Sequence, residues 1–171
     1  MPEIDDAFAW PKCLTTQARE LIEQAKLPGL SGGPHDASLA SVISTSFDSL
    51  ILDSITGDTR DYFRSALWLL AGDLDRSHTI SQDLPSQEGS FWHGIMHRRE
   101  NDFSNAKYWF RRVGNHPAFA QIARFHADVY NDPTDFVDHV ERAIRGGGDD
   151  TVLREAQWTE WQCLMDNCLD F

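Results

Sequence analysis

Residues 90–117 read SFWHGIMHRRENDFSNAKYWFRRVGNHP, and the fold follows from how this stretch is parsed. Advancing 100° per residue from His93, the side chains Phe91, Trp92, Ile95 and Met96 fall between about 160° and 300°, one continuous arc of a helix. Ser86 can cap that helix just after Pro85, and Asn101-Asp102 turns the chain into a second helix over 103–113. There Ala106, Phe110 and Val113 face the core, and Asn115-His116-Pro117 closes the pair. A helical hairpin at the centre of the chain sets the expectation for the rest.

Working outward, apolar spacing repeats the helical period in almost every segment. Thr15 or Thr16 can cap a first helix whose stripe is Ala18, Leu21, Ile22 and Ala25, and Pro28-Gly29 stops it. Residues 28–37 form a loop by composition. In 38–54 the set Leu39, Val42, Ile43, Phe47 and Leu50 fits a helix better than a strand. The segment 58–71 is a buried helix ended by Gly72-Asp73, and Asp73 or Asp75 can start a short helix running to about Leu84. Further helices cover 118–130, a segment opened by Asp132-Pro133 and ended by Gly146-Gly147-Gly148, and 151–169 with Trp161, Leu164, Met165 and Cys168 on one stripe. No segment alternates with period two. The expected class is all-α, with about seven or eight helices in antiparallel hairpins. Ala106-x3-Phe110, with a fainter echo around Gly72-Asp73, adds a weak tetratricopeptide-like look.

The chain has 171 residues, which suits one domain over 1–171 with residues 1–14 as a tail anchored by Phe8 and Trp10. A formal charge of −12, from 27 acidic and 15 basic residues, argues against a phosphate-backbone partner and so against nucleic acid. Three cysteines, Cys13, Cys163 and Cys168, show neither metal-knuckle spacing nor a secreted framework and point to reduced thiols used in packing. No apolar leader and no membrane-length apolar window occurs, so a soluble cytoplasmic protein without a membrane partner is expected.

Chemistry concentrates on the polar side of the 87–100 helix. His93 at 0°, His97 at about 40° and Glu100 at about 340° share one stripe. H-x3-H brings two imidazoles within reach of one zinc or iron ion, and a Glu one turn on can ligate, act as a base or orient an imidazole. H-E-x-x-H is absent, so a third histidine must come from elsewhere, with His78 and His116 best placed. DinB-type metal-dependent helical bundles use the same spacing plus one distant histidine, and nothing else is shared with them. Against the metal stands the simpler option of two histidines hydrogen-bonded at the edge of the core.

Arg99, near 240°, lies inside the apolar arc and therefore needs a carboxylate, with Asp73, Asp75, Asp102 and Glu88 as candidates, or several carbonyls. Pairing with at least one carboxylate is expected, whereas Arg98 is expected to matter little. Asn105, Trp109 and Arg112 make a mixed stripe on the next helix. It either walls a cleft shared with the histidines or is an Arg-Trp stack on a solvated face.

The run from Trp92 to Pro117 resembles the signature of a family of bacterial and fungal proteins of unknown function. In it a Trp-His pair, His-Arg-Arg-Glu, an Asp-aromatic turn and Asn-Ala-x-Tyr-Trp recur. The resemblance extends weakly back through ALWLLAGDLDRSHTIS. It implies no reaction, and marks His93, His97, Arg98, Arg99, Glu100, Asn105, Trp109 and His116 as site candidates, with Asp75 and His78 beside them. Two functions stay open. One is a domain binding a small molecule or a protein through a polar His/Arg/Trp cleft that includes Asp75. The other is a metal-dependent, hydrolase-like enzyme with Glu100 as catalytic base.

Overall fold

The computed structural model describes residues 10–33 and 36–169; Phe8 and the rest of the expected tail up to residue 9 lie outside them. The described chain is all-helical. Its nine α-helices are α1 (Thr16–Gln24), α2 (Ala37–Ser46), α3 (Asp58–Ala71), α4 (Leu74–Ser81), α5 (Gln87–Arg99), α6 (Phe103–Val113), α7 (Pro117–His126), α8 (Pro133–Gly146) and α9 (Thr151–Leu169), somewhat more than the sequence suggests. Most begin on a short polar side chain that accepts a backbone N–H of the first turn: Thr15, Asp36, Asp73, Ser86, Asp102 and Asp132. Gly72 ends α3 in the left-handed region at φ 82°, with its N–H turned back to Leu69 and Trp68.

Two stretches depart from expectation. The helix expected over 38–54 stops at Ser46 and passes through a 3-10 turn, Phe47–Ser49, to an isolated antiparallel bridge between Leu14 and Ile51. Ser44 and Thr45 donate their hydroxyls to the carbonyls one turn back, the competition with helical bonding that makes such residues poor helix interiors. The helix expected over 118–130 ends at His126, and Tyr130 folds inward to full burial.

α5 is the centre of the molecule. It packs on α6 and α4 and also touches α3 and α9. Every residue from Gly89 to Arg99 is buried, including Phe91, Trp92, Ile95 and Met96. Two glycines permit this. A β-carbon at Gly89 would stand 2.4 Å from Leu84 Cβ and from the Leu84 carbonyl oxygen, where α4 turns into α5. One at Gly94 would stand 3.1 Å from the Phe110 ring of α6. α9 closes the core from the other side, and Trp161 Nε1 donates to Ala66 O of α3 at 2.9 Å.

Because α5 is enclosed all round, helical angle does not sort its polar residues into buried and exposed. Arg98, at about 140° and so just outside the apolar arc, is fully buried. It is the arginine that takes the carboxylate: Nη1 reaches Glu160 Oε1 at 3.0 Å, Nη2 reaches Oε2 at 2.5 Å, and Tyr130 Oη donates to Oε1 at 3.3 Å. Arg99 is buried as expected, but it contacts no carboxylate among the described residues. One Nη donates to the Leu69 carbonyl. Burial, with Arg98 adjacent, lowers its pKa to about 10, which still leaves it charged at neutral pH. The burial expected of Arg99 is present, but the carboxylate expected there is held by Arg98 instead. A long side chain at the margin of the arc reaches across to α9, while Arg99 faces apolar walls of Leu27, Leu70, Ile95 and Trp158.

No helix among the described residues is long and apolar enough to cross a membrane.

Candidate metal centre

Three histidines meet where α4, α5 and α6 pack. His93 and His97 leave α5 one turn apart on the same face, and His78 comes from α4. One ligand nitrogen from each of the three lies within 4.8 Å of the others. The Nε2 atoms of His93 and His97 are 2.9 Å apart. The His78 ring stands edge-on to both, with centroids at 4.7 Å and 5.2 Å. His93 and His97 are buried and His78 is half-buried, so the cluster closes on the protein side and opens past His78.

The far nitrogens are held by partners. Ser81 Oγ, three residues after His78 on α4, lies 2.8 Å from His93 Nδ1 and 3.4 Å from the His78 carbonyl. Glu100 Oε2 lies 3.3 Å from His97 Nδ1. The contact lacks hydrogen-bond geometry, so the carboxylate favours a proton on His97 Nδ1 by its charge, the tautomer that leaves Nε2 with a lone pair. Ser81 can either donate to or accept from its imidazole. With no cation, a chain runs from the Ser81 hydroxyl through His93 Nε2–H to His97 Nε2. With a cation, Ser81 accepts Nδ1–H of His93 and both Nε2 lone pairs turn to the ion.

Protonation favours the ligand form. Burial first, then the neighbouring His97 and His78, brings the His93 pKa down to about 3. Burial also lowers that of His97, against the opposing pull of Glu100. Neutral imidazoles are what a metal requires.

α6 completes the wall. Trp109 packs its ring on His93 with centroids at 4.2 Å, and the Arg112 guanidinium lies 4.8 Å from the Trp109 ring. Asn105 Nδ2 is 3.3 Å from His97 Nε2. The stripe of Asn105, Trp109 and Arg112 therefore does adjoin the histidine stripe. Gly94, by letting Phe110 close onto α5, sets how near it comes.

Other candidates lie elsewhere. His116 is on the opposite side of α5, packed on Phe91 and Phe119. It caps α7, its Nδ1 accepting the Ala118 N–H at 3.2 Å, so its ring is spent on a helix end. Asp75 is exposed in the first turn of α4. Arg98 and Arg99 are interior residues that present no donor to the cluster. Glu100 meets the Nδ1 edge of His97, away from the convergence of Nε2 atoms, which suits an orienting acceptor better than a base. Ser81 is the residue sequence reasoning missed. Its signal was the helical i, i+3 step from His78, which puts both on one face of α4.

No protein-family model, curated protein or solved structure matches this chain.

Proposed function

We propose that this domain of helical hairpins is a metal-binding protein that holds a divalent transition ion, zinc or iron, on His78, His93 and His97. The observation that carries this reading is the arrangement of the two α5 imidazoles: His93 Nδ1 is hydrogen-bonded to Ser81, His97 Nδ1 faces the Glu100 carboxylate at 3.3 Å, and the two Nε2 atoms meet at the shared point. Carboxylate or hydroxyl partners on the far nitrogen are the usual support of a ligating histidine. Bonds of about 2.0–2.1 Å require the Nε2 atoms to part to about 3.3 Å, a small movement. Tetratricopeptide-like packing of the hairpins and the family resemblance of residues 92–117 belong to the same proposal. Of the residues that resemblance marks, His93, His97, Glu100, Asn105 and Trp109 surround the cluster.

Three neutral ligands leave the ion its full charge and at least one open position, the arrangement of catalytic rather than structural zinc. A hydrolase-like activity is the second reading, favoured by the half-buried His78 edge through which a small molecule can approach. The deciding measurement is elemental analysis of full-length protein purified without chelator or affinity tag, then zinc and iron titration by calorimetry. One ion per chain is expected, lost in His93→Gln and His97→Gln variants that keep the wild-type helical circular dichroism. A wild type that binds neither metal tighter than those variants do would overturn the proposal.

A further inference from the structure

Resting on the three-histidine reading, we propose that the side-chain amide of Asn105 holds an oxygen ligand on the metal, which makes Asn105 the residue that selects what the centre binds. Asn105 sits in the first turn of α6. Its backbone N–H is tied to Asp102 Oδ1 at 3.1 Å, so the side chain is presented from a fixed point. Its Nδ2 lies 3.3 Å from His97 Nε2. Neighbouring ligands on a tetrahedral ion with bonds of about 2.0–2.1 Å stand about 3.3–3.4 Å apart. The end of the amide therefore lies beside the His97 ligand nitrogen, about as far from it as a neighbouring ligand on the ion would be.

The hydrogen-bond accounting then forces a change of partner. His97 Nε2 has one lone pair in the plane of its ring, with Glu100 beside Nδ1 favouring the proton at the other nitrogen. Without metal that lone pair faces two donors, His93 Nε2–H at 2.9 Å and the amide at 3.3 Å. Once a metal takes it, neither can use it, and the Asn105 N–H group needs another acceptor. An oxygen bound to the open position is the nearest replacement. Trp109, packed on His93 with its ring tilted at 58° and carrying the Arg112 guanidinium, walls the same side and offers no competing acceptor. The class of ligand this selects is a small neutral or singly anionic molecule that meets the metal through a carbonyl, carboxylate or hydroxamate oxygen.

The test uses the full chain loaded with cobalt(II), whose visible spectrum reports coordination, and titrates it with acetohydroxamate. Asn105→Ala should weaken acetohydroxamate binding roughly ten- to a hundredfold, the loss of one hydrogen bond to a charged oxygen. Cobalt affinity should not fall, since the amide competes with the metal for the His97 lone pair, and the ligand-free spectrum should keep the wild-type form. Asn105→Asp, of equal size but without an N–H, should do no better than the alanine variant. Equal acetohydroxamate affinity in wild type and Asn105→Ala overturns the proposal. So does an Asn105→Ala protein with a changed ligand-free spectrum and weaker cobalt binding, paired with tighter cobalt binding in Asn105→Asp, because the amide oxygen is then itself a ligand. A wild type that takes up no cobalt overturns the three-histidine reading and this proposal together. That result is distinguishable because it precedes any addition of acetohydroxamate.

Discussion

Replacing Arg98 by Met should destabilise the protein far more than a residue at the edge of a helical arc would suggest. The guanidinium and the Glu160 carboxylate are both 0% exposed, joined by two hydrogen bonds, and the carboxylate has one further donor in Tyr130. Methionine fills much of the volume, so the dominant loss is electrostatic. Glu160 is left ionised in a desolvated site with a single neutral donor. Breaking a buried pair in this way costs about 3–5 kcal/mol. In a domain of this size each kcal/mol lowers Tm by about 2–4 °C, so thermal melts followed by circular dichroism should fall by roughly 6–20 °C. One further result separates this account from simple loss of packing. The double variant Arg98→Met/Glu160→Leu should recover most of the loss, because no charge is then stranded. Equal melting temperatures for the single and double variants, or an Arg98→Met protein within about 1 kcal/mol of wild type, would refute the reasoning.

Three other outcomes are expected. Ser81→Ala and Glu100→Gln should each weaken zinc binding by about 10- to 100-fold, measured by competition with a chromophoric chelator, while leaving three histidines in place. Metal-free protein should lose stability on acidification. The His93 pKa is depressed to about 3 when folded, and burial also lowers that of His116, so the unfolded chain takes up protons first as pH drops below about 6.5. His93 alone should account for about 2 kcal/mol between pH 7 and 5 in urea melts, and a flat profile over that range would count against its burial as a neutral base. Gly89→Ala should cost about 1–3 kcal/mol by denaturant titration, since its methyl group would meet the backbone of Leu84 at 2.4 Å.

Much of this architecture was legible because helices announce themselves by period and by their ends. α3 occupies 58–71, Ser86 and Asp132 cap the helices they were expected to cap, Asp73 is the cap of the two offered with Asp75, and the expected turn at Asn101-Asp102 leads into α6. Phe91, Trp92, Ile95 and Met96 are buried together. The proximity of His93, His97 and Glu100 followed from the same periodicity. What could not be read was which neighbours surround α5. Arg98 and not Arg99 holds the buried carboxylate because Glu160, distant in sequence, lies across from one and not from the other. His78 and His116 looked equivalent as third ligands. Only the packing shows that one faces the stripe while the other has become a helix cap against Phe91. Angular reasoning assumes a wet side, and a helix enclosed by four others has none.

Gly94 gives the centre a form of calibration that involves none of its own groups. With Phe110 carbons 3.1–3.2 Å from the place of a β-carbon, the spacing of α5 and α6 is set by one absent methyl. Alanine there would make a ring yield by a few tenths of an ångström, and α6 carries both Asn105 and Trp109. A lineage that drifted at this position could keep a foldable chain and every histidine, and still carry a detuned centre. In a comparison of relatives, variation at Gly94 would therefore mark a changed spacing around the proposed metal centre that the histidines themselves would not reveal.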